Sequence, residues 1–178
     1  MLLAFTETSV YSLQDFNNPI PLTKGIGCVA PSSIQAMPDG TLIWLSRDGF
    51  YSLRGGNISL ISFGIHKQLR HYVNRGLLRK ASASVDAVSG EYRCALAPAG
   101  SDFNTLVLVF DGQHWRRQEL GFHISGICQT DDWRQYNLFV GHTFSSSNTP
   151  QQQNMYVMSR ENDFEYPERK ILYRCVGS

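Results

Sequence analysis

The stretch WLSRDGFYSL at residues 44–53 carries the clearest fold signal in this sequence of 178 residues. Apolar and aromatic residues flank Asp48-Gly49, a pair that tolerates the positive φ angles of a primed hairpin turn. Residues 4–13 read AFTETSVYSL and repeat the pattern at an offset of 40, and both stretches end in Tyr-Ser-Leu. The two stretches therefore predict two β-hairpins of the same kind.

Two looser copies of this pattern follow in the second half of the chain. They consist of apolar strands at 105–110 and 136–140, expected partner strands at 115–118 and 155–158, and a Ser-, Asn- and Gln-rich loop at 143–154. A strand that is apolar on both faces has to be covered on both faces. Stacked sheets do this in the blades of a β-propeller and in two-sheet sandwiches. The recurrence of hairpins favours propeller blades, in a small or partial propeller.

The composition agrees with an all-β fold. Ten Phe, eight Tyr, three Trp and fifteen Gly favour pleated sheet and tight turns over helix bundles. The length suits one domain over residues 1–178, which is either complete or a piece of a longer protein. We expect the core to contain Phe5, Tyr11, Trp44, Tyr51, Phe110, Trp115 and Phe139.

One segment departs from the strand pattern. Residues 65–80, IHKQLRHYVNRGLLRK, have apolar residues at 65, 69, 72, 73 and 77, close to helical spacing. We expect one short amphipathic helix between two blades, weakened by Gly76. Its basic residues are Lys67, Arg70, Arg75, Arg79 and Lys80. They are candidates for contact with DNA phosphates or with an acidic neighbouring subunit, and the alternative is an ordinary solvated helix face.

The net charge, the length of the apolar runs and the spacing of the cysteines limit which classes of function are expected for this chain. The net charge of +1 gives the whole chain no general attraction to nucleic acid or anionic lipid. No apolar run approaches the roughly 20 residues of a membrane span, so we expect no membrane anchor. The four cysteines lie far apart, without a C-x-x-C pair, and we expect four reduced thiols.

The sequence contains no recognisable catalytic, metal or cofactor set. Residues 25–30 fit G-x-G-x-x-A, but Pro31 and more strand follow where a dinucleotide site needs a helix. The five histidines lack the spacing of a zinc site. No nucleophile and base are placed together, so we expect no cofactor, no metal and no enzymatic activity.

Residues 25–56, GIGCVAPSSIQAMPDGTLIWLSRDGFYSLRGG, resemble a pattern in propeller-like tail proteins of tailed bacteriophages. In that pattern a Gly-Cys-x-Ala-Pro-x-Ser turn leads to a hairpin reading Trp-Leu-Ser-x-Asp-Gly-x-Tyr. LLAFTETSVYSL at 2–13 and FDGQHW at 110–115 also suit it. The likeness is specific over residues 1–60 and diffuse from there to about residue 175.

The resemblance implies a virion structural protein of the tail or head–tail connector, of the tail-nozzle or DNA-stabilisation type, made in the host cytoplasm. Its expected partners are other copies in a ring, neighbouring tail, adaptor or fibre proteins, and double-stranded DNA held without sequence preference. An alternative is a receptor- or glycan-binding propeller on a phage fibre, in which exposed Trp115 or Trp133 would stack on sugar rings. A more distant one is a glycoside-cleaving enzyme with two facing carboxyl groups.

Overall fold

The computed structural model describes residues 2–14, 18–119, 123–129, 137–142 and 155–158. Within these ranges, fourteen strands form four antiparallel sheets, each of which follows the order of the chain. Helical structure is confined to a few short segments. The prediction of an all-β fold is confirmed at this level.

Four consecutive sections of the chain build the four sheets. The first sheet contains β1 (Leu2–Phe5), β2 (Ser9–Leu13) and β3 (Ile20–Lys24). The second contains β4 (Gln35–Ala36), β5 (Leu42–Leu45), β6 (Phe50–Arg54) and β7 (Asn57–Leu60). The third contains β8 (Ser82–Asp86), β9 (Glu91–Leu96), β10 (Leu106–Phe110) and β11 (Trp115–Glu119). The fourth contains β12 (Gly126–Gln129), β13 (Asn137–His142) and β14 (Met155–Met158).

The predicted hairpins are all present. The pairs β1–β2, β5–β6 and β10–β11 close through turns of four residues, and β13 pairs with β14. In the three turns the amide of the first residue donates to the carbonyl of the fourth, over 2.9, 2.8 and 3.3 Å. The likeness between residues 4–13 and 44–53 therefore reflects equivalent hairpins.

The turn at Asp48-Gly49 differs from the predicted primed two-residue turn. It is part of a four-residue loop, and within the described chain positive φ is confined to glycines, so only Gly49, at 152°, departs from ordinary geometry. A Cβ at Gly49 would lie 2.3 Å from the Ser62 hydroxyl oxygen. That oxygen accepts a hydrogen bond from the Phe50 amide at 2.9 Å. Glycine is thus required here by the close approach of Ser62 as well as by the backbone angle.

The interface between the first and second sheets is built around Trp44. Val10, Cys28, Trp44 and Leu53 are buried together. The Phe5 ring meets Trp44 edge-on, with ring centroids 5.3 Å apart. The next residue of β5 faces the other way, because side chains alternate along a strand.

The second sheet packs its other face on the third sheet. Leu45 and Phe50 are buried in one cluster with Tyr92 and Leu108. The third sheet in turn packs Val107 and its neighbours against the fourth, in a cluster with Ala95, Val109, Ile124 and Ile127. The second and third sheets therefore have a buried cluster on each face, and these clusters cover their apolar strands.

Aromatic side chains also tie each interface to the chain connections by hydrogen bonds. Trp44 Nε1 donates to the Gly27 carbonyl at 3.1 Å, and the Tyr92 hydroxyl donates to the Ser33 carbonyl at 2.8 Å. Trp115 Nε1 donates to the carbonyl of Ile61 at 2.9 Å. Each bond satisfies a buried polar group and fixes how adjacent sheets meet.

Six of the seven expected core residues have side chains that the structure describes. Trp44 and Phe110 are buried. Phe5, Tyr51 and Trp115 are half-buried and pack against the core clusters, whereas Tyr11 is half-buried but belongs to none of the clusters of the described residues. Phe139 lies outside the residues whose side chains the structure describes.

The predicted single helix over 65–80 is interrupted. An α-helix, α1, spans His66–Tyr72, and 3-10 turns occupy Phe63–Ile65 and Arg75–Lys80. The helix ends because Val73 is extended and forms an isolated antiparallel bridge with Pro98. The sequence pattern could not reveal this bridge, because its partner lies after β9.

Cys28 and Cys94 are free and buried. Burial raises the pKa of both thiols, in the case of Cys94 to about 12. Cys175 and the Cys128 side chain lie outside the described residues.

We expect both buried thiols to resist modification in the folded protein, because the thiolate is the reactive form. In a Cys128→Ser/Cys175→Ser background, a chromogenic disulfide reagent should react at least about a hundredfold more slowly in buffer than in guanidinium chloride. Rapid reaction of either thiol in buffer would contradict this packing.

Candidate interaction surface

The basic segment 63–80 concentrates positive charge on one part of the chain. It contains five Lys and Arg residues and no Asp or Glu, whereas the remaining sequence has eleven basic and fifteen acidic residues. The segment therefore differs in sign from the rest of the molecule. A near-zero net charge conceals this asymmetry.

Apolar side chains hold the basic segment on the body of the protein. Ile65, Leu69, Val73 and Leu78 pack against the core between the second and third sheets. Tyr72, one of the apolar residues at near-helical spacing, has a side chain that is 54% exposed. After the break that ends α1, Leu78 packs on this core, whereas the near-helical spacing in the sequence included position 77.

Hydrogen bonds around Asn74 fix the break in the segment. The Asn74 amide donates to the Ala97 carbonyl at 2.8 Å, and its side-chain amide donates to the Ser101 carbonyl at 2.9 Å. Its side-chain oxygen accepts from the Gly76 amide at 3.1 Å. The two halves of the segment are thus anchored to the loop between β9 and β10.

Two of the five predicted site residues contact the hairpin turns. Arg75 donates to the Arg47 carbonyl at 3.1 Å and lies 3.9 Å from the Asp48 carboxylate. Arg79 forms an ion pair of 3.2 Å with Glu7. Both ion pairs are solvent-exposed, so each contributes at most about 1 kcal/mol. These two arginines connect the segment to the turns of the first two sheets.

The other three predicted residues remain more available. Lys67, Arg70 and Lys80 are exposed, and within the described part of the chain no carboxylate lies at ion-pair distance from them. Arg70 lines a shallow depression together with Arg47, Arg75 and the acidic Asp48. Lys67 and Lys80 do not line it. The structure thus brings together two of the five predicted residues, and adds Arg47.

Two arginines outside the segment were missed by sequence reasoning. Arg47 sits in the β5–β6 turn, and Arg117 lies on β11 with its guanidinium 5.5 Å from the centre of the Tyr72 ring. In the sequence, the only feature that distinguishes Arg47 is its position next to Asp48 in the hairpin turn. The contact of Arg117 depends on the folded arrangement of α1 and β11.

Exposed guanidinium and ammonium groups can bind phosphate or carboxylate oxygens, and arginine can do so through two parallel hydrogen bonds. The residues described contain no group of three His, Cys, Asp or Glu that could hold a metal ion. The turn after residues 25–30 is a 3-10 turn, Pro31–Ser33, followed by β4. The exposed guanidinium and ammonium groups of the basic segment therefore make its surface suited to binding anions by charge.

The glycan-binding alternative placed its stacking surface on Trp115 or Trp133. The Trp115 ring packs against Phe50 and Phe110, at centroid distances of 4.6 and 4.8 Å. Its indole nitrogen is used in the bond to Ile61. Trp115 therefore does not offer a free stacking face, and Trp133 lies outside the described residues.

None of the helices in the described ranges has the length and apolar character needed to cross a bilayer. No protein-family model matches this chain, and no curated protein matches its sequence.

Proposed function

We propose that this chain is a virion structural protein of a phage tail or head–tail connector. Its sheets act as propeller blades in the wall of a nozzle or hub that retains and conducts DNA. The observation that carries this proposal is the face-to-face stacking of successive sheets, which places a buried cluster on each face of the second and third sheets. Such stacking gives a stiff wall, because close-packed cores resist deformation.

The exposed cations of the basic segment supply the second part of the role. Lys67 and Arg70 lie on α1, and Arg70 lines the depression together with Arg47 and Arg75. They would contact DNA phosphates without reading sequence. The ion pairs of Arg75 and Arg79 reduce the free positive charge, which suits a channel that has to release DNA as well as hold it.

Assembly is tested by imaging the purified full chain by electron microscopy over a range of concentrations. The proposal predicts closed rings of several copies, since closed cyclic symmetry is usual for such components. Isolated single chains at every concentration would overturn the structural role in a ring.

Contact with DNA is tested by the double substitution Lys67→Glu/Arg70→Glu. We expect it to lower the affinity for a short duplex by about tenfold or more at roughly 50 mM salt, and to reduce the slope of log K against log salt by about 2. Fluorescence anisotropy at several salt concentrations measures both quantities.

The matched control is Lys24→Glu/Arg54→Glu, which changes the net charge equally at exposed positions on other strands. It should affect binding much less. Equal losses in the two double variants would show that only net charge matters, and would contradict a DNA-facing role for the basic segment.

A further inference from the structure

A cleft of about 530 Å³ opens between the second sheet and the β10–β11 turn. Six polar side chains line it: Asp39, Thr41, Ser52, Arg54, Asn57 and Ser59. The size lies within the range of sites that bind small ligands. The basic segment contributes none of the lining residues.

The polar lining interrupts a face of the second sheet that is otherwise apolar. Strand pairing places Leu45 beside Phe50, and the Phe50 carbonyl accepts from the Ile61 amide. That row is covered by the third sheet, where Phe50 meets Tyr92 and Trp115. This end of the face is a normal sheet-to-sheet core.

The next rows along the same face are more hydrophilic, although Ile43, which pairs with Ser52, is buried. Ser52 pairs with Ser59 across β6 and β7, and Arg54 pairs with Asn57. The third sheet does not cover this end, and of its residues only Phe110, at the end of β10, and Gly112, in the following turn, reach the cleft. A sheet face that served only for stacking would have apolar residues here.

Several of these polar groups have unused hydrogen-bonding capacity. Within the described chain the side chains of Ser52, Ser59 and Asn57 form no hydrogen bond. Hydroxyl and amide groups can both donate and accept. The three adjacent side chains therefore suit a ligand whose own polar groups can both donate and accept hydrogen bonds.

The charges of the cleft balance locally. Arg54 lies 3.5 Å from the Asp39 carboxylate, and both side chains are at least half exposed. The Asp39 oxygen also accepts from the Thr41 amide at 2.9 Å, and hydrogen bonds from Thr41 are the main cause that holds the pKa of Asp39 below its ordinary value. A neutral site favours an uncharged ligand over a polyanion or a metal ion.

We propose that this cleft binds a neutral saccharide. Sugar hydroxyls both donate and accept, and would pair with Ser52, Ser59 and Asn57, while the half-buried side chains of Met37 and Ile61 would contact the C–H surface of the ring. Binding here requires neither ring assembly nor DNA, so the inference is independent of the proposed structural role.

The test is an NMR titration of the ¹⁵N-labelled full chain with maltotriose, cellotriose and tri-N-acetylchitotriose, each up to about 10 mM, a range that detects even millimolar affinity. We expect saturable shifts of the Ser52, Asn57 and Ser59 amides with at least one of the three. Asn57→Leu should weaken that binding by about tenfold, through loss of an amide partner.

Asn18→Leu is the matched control, because Asn18 is exposed on the loop before β3, outside the cleft. It should leave the titration unchanged. The absence of saturable shifts with all three sugars would overturn the proposal, and so would equal weakening by the two leucine variants. Neither result bears on DNA binding or ring formation.

Discussion

Replacing Gly27 by alanine should destabilise the protein by about 3 kcal/mol or more, or prevent folding. A Cβ at this position would lie 2.3 Å from the Thr6 carbonyl oxygen and 2.3 Å from the Thr8 amide nitrogen. Both are backbone atoms of the β1–β2 turn, so no flexible side chain can move aside. The chain connection would have to separate from the first hairpin.

That separation would break interactions beyond the clash itself. The Cys28 amide donates to the Thr6 carbonyl at 2.8 Å, and Trp44 Nε1 donates to the Gly27 carbonyl. Loss of the second bond would leave a buried indole N–H unsatisfied, which costs about 1–3 kcal/mol. The interface between the first two sheets would therefore loosen as a whole.

Urea denaturation followed by tryptophan fluorescence measures this effect. Gly64→Ala is the control, because Gly64 has no atom within 4 Å of an added Cβ and no positive φ. It should change the free energy of unfolding by less than about 0.5 kcal/mol. A Gly27→Ala protein as stable as the control variant would refute the described packing of the connection on the turn.

Replacing Arg93 by methionine should cost about 3–5 kcal/mol at neutral pH, the usual result of removing one partner from a buried ion pair. The Arg93 side chain is 5% exposed and lies 2.6 Å from Glu91 and 3.3 Å from Asp86. Arg116 also contacts Glu91. Methionine would fill the space but leave the two carboxylates with less compensation for their burial.

The same network predicts a dependence on pH. Burial acts to raise the pKa of Glu91, but hydrogen bonds and charges from Arg93 and Arg116 outweigh it and hold the pKa below the ordinary 4.5. For Asp86, burial is likewise outweighed, mainly by hydrogen bonds from Ser89, and its pKa is lowered. Protonation therefore favours the unfolded chain, and the stability contributed above pH 4.5 is lost as the pH falls through the lower folded-state values.

In the Arg93→Met variant we expect this loss to be smaller, because neutral carboxyl groups are less costly to bury without their arginine. The difference in unfolding free energy between the natural chain and the variant should thus shrink on acidification. Arg54→Met is the control, since it removes only an exposed pair with Asp39 and should cost at most about 1 kcal/mol. A constant difference across the acidic range would exclude the network as its source.

The sequence predicted the hairpins well because their signals are local. Trp44, the turn at 46–49 and Phe50 lie within one short stretch, and the repeat at 4–13 has the same geometry. The hairpin of β8 and β9 was missed, although all its strand residues are buried. The strands of this hairpin contain alanines, serines and Arg93, a composition that does not predict a core. Arg93 can be buried because the strand pairing places Asp86 opposite Glu91, and both carboxylates contact its guanidinium.

The candidate surface shows the same limit. The basic residues of 65–80 were identified from the sequence, but the contacts of Arg75 and Arg79 join positions 28 and 72 residues apart. Such pairs depend on how the turns and the segment meet in space. The polar cleft was also missed. Ser52 and Ser59 are ordinary strand residues in the sequence, which does not show that the third sheet leaves them uncovered.

The arrangement of sheets in chain order has a consequence for how the molecule forms. Each sheet consists of strands that are adjacent in sequence, and each packs on the preceding sheet. Contacts over short chain separations form quickly, and arrays coupled only to nearest neighbours can grow by addition at one end. The protein can therefore fold progressively during translation, each new sheet using the one already made as its template.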